Sequence, residues 1–581
     1  MAKTKKYNAP VHFEKIKSRL IIVSVVFSFY GAGLIARLVY LQILKHEELH
    51  AQSEKQYVRT IKVNSGRGLI YDRNLNSLAI NIEVESVYIN PREIVDKDFT
   101  ANRLASILGL ARKTVDRKIS SGKSFVWIKR KSNFSEIEKL KELDLAGVGF
   151  IGESKRFYPK RELAASAIGF VGMDNQGLGG IEHQYHSTLK GISYRKVVEK
   201  DARGRLIRTG READKLNAHS RDVVLTLDEV IQFITERELK KQIQKFHAKS
   251  GVAIVMDPNN GEILAMADIP EFNPNNFSAF PSEYYRNKAV TDTYEPGSIF
   301  KPIVAAAALE SRKVDIHDIF YCENGQFKIG SVVIGEASGH KFGWLTLQNI
   351  IAKSSNIGAI KLAQKLGKNT FYDYIKNFGF GKKLGIELPG EATGIVRRPH
   401  KWTALSLASI SFGHEISVTP IQMITAMSAI ANGGNLIRPK IVRAVIKDGQ
   451  LDQPTRPLVI KRVLSEKTSQ QMNGILKTAV KNGTGKKAAA PGFDVAGKTG
   501  TAQKMDKKTR RYSKTAFVSS FIGFVPADDP KLAILVMVDE PQGTYWGGEV
   551  AAPAFREIAI QVLRYLNVPS NQERVFVLDH A

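Results

Sequence analysis

The chain has 581 residues, 43 % apolar and 24 % charged, ordinary globular values that exclude a collagen-like, coiled-coil or wholly disordered protein. A single cysteine, Cys322, excludes an intrachain disulfide and a cysteine-rich zinc site. Lys and Arg number 85 against 57 Asp and Glu, a net +28, which favours an anionic partner: nucleic acid, an anionic membrane or an acidic polymer.

Residues 1–19 carry Lys3, Lys5, Lys6, Lys15, Lys17 and Arg19 against Glu14 alone. Leu20 to Ala36 then runs without a charge, and Leu38, Val39, Leu41, Ile43 and Leu44 extend the apolar character past Arg37, whose head can snorkel to the interface. The stretch is long for a signal-peptide core and has no clean small-x-small cleavage site. The reading is an uncleaved transmembrane signal anchor over 20–44, with a cytoplasmic tail at 1–19 by the positive-inside rule and the rest of the chain outside the cytoplasm. That location sets nucleic acid aside. A basic ectodomain suits an anionic wall or lipid surface, and much of the charge is a solvated face.

From about Gln56 the texture becomes short alternating stretches such as Val58–Val63. Ser65–Asn81 follows with the Gly, Asn and Asp punctuation of strands joined by tight turns. Ala101–Gly109 and Ser135–Leu143 read as short helices, so the first module is an irregular α+β pedestal, taken as 45–220. The polar stretch 217–222 marks its end. A strand and then a helix from about Asp228 open the second module, 221–570, which leaves a tail at 571–581. Two apolar strands around Pro258-Asn259-Asn260-Gly261 form a hairpin. Residues 298–440 are mostly helical. Strands return at Phe493–Ala496, Ala516–Val525 and Leu532–Val538, before an amphipathic helix at about Glu549–Leu566. Two strands, many helices, three strands and a helix make an α/β domain with a five-stranded antiparallel sheet flanked by helices.

Three motifs compete for the chemistry. His46-Glu47-Glu48-Leu49-His50 fits H-E-x-x-H, but it stands on a charged helix just past the span, with no cleft and no third ligand around it. Gly492–Thr499 fits the P-loop pattern letter for letter. No buried strand precedes it, however, no helix follows it, and an exported domain lacks ATP. The third is a trio in order: Ser298-Ile299-Phe300-Lys301 (S-x-x-K), Ser354-Ser355-Asn356 (S-x-N) and Lys498-Thr499-Gly500-Thr501 (K-T-G-T), the set of penicillin-binding proteins and class A β-lactamases. Each has the right local context. Glu295-Pro296-Gly297 breaks the chain so that Ser298 opens a helix whose free N–H groups can polarise a carbonyl. Lys301, at i+3, shares its face. It can act as a base only if desolvation or a second cation pulls its pKa down, and Lys498 is expected nearby. Ser354–Asn356 is a loop between two helical runs. Lys498–Thr501 lies on or at the end of a strand, an edge that an extended peptide could join.

With these residues the chain resembles the class B penicillin-binding proteins, most of all the division-specific transpeptidases. Arg67-Gly68-Leu69-Ile70-Tyr71-Asp72-Arg73-Asn74 is similar to the family's N-terminal R-G-x-x-x-D-R-N box. Leu75 stands where the family usually has Gly, so a different turn is expected there. Phe125–Arg130, Arg156-Phe157-Tyr158-Pro159, Gly179-Gly180-Ile181-Glu182 and Tyr545-Trp546-Gly547-Gly548 also resemble family segments. The resemblance implies cross-linking of peptidoglycan stem pentapeptides on lipid II-derived strands. Ser298 would be the nucleophile, Lys301 its base, Ser354 a proton relay and Lys498 a cation near Ser354. Asn356 would bind the substrate amide, and Thr499 and Thr501 its carboxylate. The N–H groups of Ser298 and Thr501 would form the oxyanion hole, and Gly500 permits close backbone approach. It implies acylation by β-lactams, no metal and no organic cofactor. As partners it implies a SEDS-class glycosyltransferase and divisome membrane proteins at the inner membrane. An elongation-type transpeptidase, a D,D-carboxypeptidase or β-lactamase, and a non-catalytic β-lactam sensor or scaffold remain as alternatives.

Overall fold

The computed structural model describes residues 12–571 except 65, 192, 201–205, 210–220, 448, 452–455, 507, 508 and 510. The first basic residues, most of the 217–222 boundary and nearly all of the 571–581 tail lie outside the described residues. The chain divides into two compact units, 1–65 with 192–218 and 66–191 with 219–581.

The first unit holds the apolar helix. His12–Val39 continues through a π-helical turn at Tyr40–Leu44 into His46–Tyr57. Within it Ile16–Leu44 is long and apolar enough to cross a membrane, and none of it is buried in the protein. At about 1.5 Å per residue its length exceeds a ~30 Å hydrocarbon core. Val58–Asn64 pairs antiparallel with Ser193–Lys200, which pairs with Leu206–Thr209.

The second unit is built on two sheets. One joins Gln450–Leu451, Val442–Lys447, Asp222–Leu225, Ile70–Tyr71, Ser77–Ile89 and Val126–Lys129 in that order, with Val148–Phe157 also paired to Ser77–Ile89. The family-like box lies at a turn of this sheet and clips it to the helix Glu229–Lys245. Asp72 accepts from the N–H groups of Asn74, Asn76 and Glu229, and Asn74 donates to Asp228, the helix N-cap. Leu75 adopts φ +65. Where a different turn is expected, Leu75 sits in the left-handed region that favours glycine, between the two N–H groups bonded by Asp72.

The other sheet has five antiparallel strands: β1 (Ser250–Met256), β2 (Ile263–Ile269), β3 (Ala496–Met505), β4 (Tyr512–Val525) and β5 (Leu532–Asp539), in the order β2-β1-β5-β4-β3. In β5, Ala533, Leu535 and Met537 pack into one apolar cluster and Ile534, Val536 and Val538 into a second. Alternation sends successive side chains to opposite faces. Helices cover both, so the strand is a continuous apolar run rather than an alternating one. Glu229–Lys245 and Ala552–Tyr565 line one face. The other holds α1 (Lys301–Glu310), whose residues Lys301 to Leu309 are all buried; a helix apolar all round belongs in a core. The strand expected at Phe493–Ala496 instead begins at Ala496 and runs on through Lys498–Thr501 to Met505. Its polar residues obscured the pattern, because that half of the strand is selected for chemistry and not for packing.

Candidate active site

Ser298 lies in a 3-10 turn, Gly297–Phe300, that runs into α1. The helix expected to open at Ser298 opens three residues later, since Gly297 turns at φ +57 and Pro302 suits only a helix's first turn. A side chain on Gly297 would come within 3.2 Å of the Thr501 carbonyl and 3.1 Å of Ala502, so the turn carrying Ser298 lies against β3. From the other side, a Cβ on Gly500 would sit 2.4 Å from Ser520 Oγ and 2.8 Å from Ile299. The two glycines let the S-x-x-K turn and the K-T-G-T strand approach each other. β3 is the sheet's edge, the position at which an extended peptide can add to a sheet.

Lys301 is 0 % exposed. Its Nζ donates to the Ser354 carbonyl at 2.6 Å, to Asn356 Oδ1 at 2.8 Å and to Ser354 Oγ at 3.3 Å. Ser354 ends α2 (Leu347–Lys353) in the left-handed region at φ +61, a conformation a non-glycine residue keeps only when its surroundings enforce it. It turns both of its oxygens toward the amine. Ser355 caps α3 (Asn356–Leu366) by accepting from the Gly358 N–H at 2.9 Å. None of the three Lys301 hydrogen bonds goes to Ser298. The S-x-N loop satisfies the amine.

Lys498 is 1 % exposed, and its Nζ donates to the Thr499 carbonyl at 3.1 Å and Thr499 Oγ1 at 3.3 Å. Thr499 Oγ1 also bonds Thr484 Oγ1 at 2.6 Å. Thr501 Oγ1 accepts from the Gly547 N–H at 3.1 Å, which ties the Tyr545–Gly548 segment to the site. Burial pulls the Lys301 amine down to about 7, with the Glu336 carboxylate opposing it. Burial also holds Lys498 well below the ordinary lysine range, and the Lys301 charge adds to that. The expected cause of a lowered Lys301 was desolvation or a neighbouring cation. Desolvation leads, and the second lysine is the one that feels the first.

All eight expected residues therefore come together: Ser298 and Lys301 from α1 and its entry turn, Ser354 and Asn356 from the α2–α3 loop, and Lys498, Thr499, Gly500 and Thr501 from β3. Sequence reasoning missed Glu336, Thr484 and Ser520. None belongs to a motif, and each reaches the site through tertiary packing alone. The two rival motifs lack the context that their chemistry needs. His46 and His50 are exposed, with rings 5.7 Å apart, and the described residues hold no group of three metal-ligating side chains. The P-loop lookalike runs from a turn at Gly492 into a strand, not into a helix.

Residues 251–559 match the penicillin binding protein transpeptidase domain, and residues 62–225 match the penicillin-binding protein dimerisation domain. The chain is 37 % identical to stage V sporulation protein D of Bacillus subtilis over 96 % of this chain and 88 % of that protein. It is 32 % identical to the peptidoglycan D,D-transpeptidase FtsI of Escherichia coli over 92 % of this chain and 90 % of that one. Among solved structures, penicillin binding protein 3 of Mycobacterium tuberculosis in complex with aztreonam aligns with a TM-score of 0.68 at 28 % identity, covering 88 % of this chain and 98 % of that one.

Proposed function

The chain belongs to the class B penicillin-binding proteins, which join a dimerisation domain to a transpeptidase domain, and from that premise we propose that it is a membrane-anchored serine D,D-transpeptidase cross-linking peptidoglycan stem peptides through an acyl-enzyme on Ser298. The observation that carries this reading is the meeting of three segments distant in sequence: a buried amine at Lys301 bonded to Ser354 and Asn356, with a second buried amine, Lys498, in electrostatic reach.

The steps take each residue's role from the family resemblance, supported by the buried Lys301 amine beside Ser354 and Asn356. Lys301, increasingly neutral above about pH 7, takes the proton of the Ser298 hydroxyl as its oxygen attacks the carbonyl of the penultimate D-Ala. The N–H groups of Ser298 and Thr501 receive the developing oxyanion. The proton passes from the Lys301 ammonium by way of Ser354 to the nitrogen of the terminal D-Ala, the C–N bond breaks, and D-Ala leaves. The amine of a neighbouring stem then attacks the ester and returns a proton to Ser298 along the same path. Thr499 and Thr501 hold the substrate carboxylate, and Asn356 its amide. That carboxylate brings a negative charge to a site with two amines, which favours the protonated form of Lys498 on binding. A β-lactam presents a similar carboxylate and a strained amide and forms the same ester.

In this reading 1–19 is cytoplasmic, 20–44 is the anchor, 45–220 the pedestal, 221–570 the transpeptidase domain outside the inner membrane, and 571–581 a tail. The septal role, the SEDS-class glycosyltransferase and the divisome membrane partners rest on family resemblance. The test uses the full-length protein in membranes, labelled with a fluorescent penicillin and digested. Label on the Ser298 peptide, absent in Ser298→Ala, is expected; label on another residue, or none, overturns the reading. A stem-peptide thioester with added D-Ala should give the aminolysis product. Hydrolysis alone at every amine concentration would make it a D,D-carboxypeptidase.

A further inference from the structure

Behind the S-x-N loop stands a buried carboxylate that no motif contains. Glu336 follows the hairpin Gln326–Ile329/Val332–Gly335 and is buried. Its Oε1 accepts from the Ser355 hydroxyl and its Oε2 from the Asn356 backbone N–H, both at 2.5 Å. The residue before it contributes as well: the Gly335 carbonyl accepts from Asn356 Nδ2 at 3.0 Å, leaving Asn356 Oδ1 for Lys301. The two carboxylate oxygens therefore fix the middle and last residues of the loop that holds the Lys301 amine. A buried carboxylate is costly unless its oxygens are bonded and a cation lies near. Here the bonds come from the loop and the cation from the lysine pair.

Resting on the transpeptidase reading, we propose that Glu336 is a positioning residue of the reaction centre: it anchors the Ser354–Asn356 loop, and its negative charge stabilises the ammonium that forms on Lys301 when Ser298 is deprotonated. The charges facing Lys301 are Lys498 from β3 and Glu336 itself. Facing Glu336 are Lys301 and the Cys322 thiol, 3.6 Å from Ser355 Oγ, which burial pushes up and so keeps neutral. Beyond Cys322 lies the Lys361–Glu323 ion pair, whose charges offset each other. The centre thus holds two amines and one carboxylate. With that single anion it accommodates one proton comfortably and a second poorly, so Lys301 shuttles a proton near neutral pH.

The effect has a sign. Glu336 opposes the burial that lowers Lys301, so removing its charge drives Lys301 lower still. The experiment measures acylation of the full-length protein by a chromogenic cephalosporin from pH 5.5 to 9. Wild type should lose rate below a limb near pH 7. Glu336→Gln should move that limb down by about one pH unit, as losing an opposite charge does, and lower the plateau at least about tenfold. Ser355→Ala, which cuts the anchor but keeps the charge, should lower the rate with the limb in place. A Glu336→Gln limb at the wild-type pH makes the residue a structural anchor only and overturns the proposal, as does a flat wild-type profile. If Glu336→Gln fails to fold by near-ultraviolet circular dichroism, Glu336→Asp takes its place. Its withdrawn carboxylate should lower the limb by about half a unit, and an unmoved limb overturns the proposal. A wild type that is not acylated at all would instead defeat the transpeptidase reading itself.

Discussion

Two buried clusters in this protein have the same charge count and opposite behaviour. In the segment that matches the dimerisation domain, Arg67 and Arg156 both pair with Glu182, and all three are buried. Arg156 Nε lies 2.6 Å from Glu182 Oε1, Arg67 Nη2 bonds the Glu182 carbonyl, and the Tyr158 hydroxyl donates to the same carboxylate at 3.3 Å. In the transpeptidase domain, Lys301 feels the charge of Glu336 and Lys498 that of Lys301, and no hydrogen bond joins the carboxylate to the Lys301 amine. The fork of an arginine bonds a carboxylate in fixed geometry and stays charged in any protein setting. A buried lysine has another way out: it gives up its proton. Two cations and one carboxylate therefore make a rivet where the cations are arginines in contact, and a base where they are lysines held apart from the anion by a loop.

Breaking the catalytic cluster should have the largest effect. Lys301→Met is expected to lower acylation by at least about 10³-fold, the scale of a lost general base, measured by penicillin labelling against time. The same substitution should stabilise the protein near neutrality. The folded-state pKa of Lys301 is depressed to about 7, whereas an unfolded lysine binds its proton up to about 10.4. The unfolded chain thus binds more protons between those values, and wild-type stability rises with pH across that window. The penalty is full below pH 7, so the gain from Lys301→Met, read from urea unfolding, should be greatest there and fade toward pH 10. A gain independent of pH would break the comparison.

Breaking the rivet should do the reverse. Glu182→Gln leaves two buried guanidinium groups uncompensated and is expected to cost about 3–5 kcal/mol, measured by urea unfolding, with the acylation limb still near pH 7 in the folded fraction. A moved limb would mean that the two clusters are one electrostatic unit. Gly500→Ala sharpens the contrast from the side of packing. Its Cβ meets Ser520 and Ile299 and should displace the strand against the Ser298 turn, costing about 10²-fold in acylation with the pH limb unmoved. The smallest effect is expected at Leu75, exposed and left-handed. Leu75→Gly should stabilise by about 1 kcal/mol, the cost of that backbone region for an L-residue, with acylation unchanged.

Much of this was readable in one dimension. The membrane-length apolar helix, the 258–261 hairpin, the apolar helix after Ser298, the apolar strand at 532–538 and the three motifs all depend on neighbours along the chain: a run of apolar side chains, a turn dipeptide, a helix-breaking proline. Readings failed where a residue answers to something distant. Lys498–Thr501 lies on a strand as read, but the bounds of β3 shifted from 493–496 to Ala496–Met505, because Gly500 and Thr501 are shaped by Ser520, Ile299 and Gly547 rather than by strand propensity. The left-handed turn at Leu75 was not foreseen, because Asp72 holds it with hydrogen bonds that composition does not announce. Glu336 was invisible: it stands in a Gly-rich, charged stretch that reads as surface, and only folding buries it behind Ser355.

By itself the sequence determined the reactive groups and their local settings: a hydroxyl at a helix entry with an amine one turn on, a second hydroxyl in a loop, a lysine on a strand, and a membrane-length apolar segment ahead of them. Short-range sterics and periodicity suffice for that, because each setting is complete within a few residues. Tertiary structure alone decided that burial lowers both lysines, which carboxylate opposes this at Lys301, and that Lys301 rests on Ser354 and Asn356. Proton affinity and hydrogen-bond partners depend on burial and on charges brought close through space, and neither exists until the sheet and helices have closed over them.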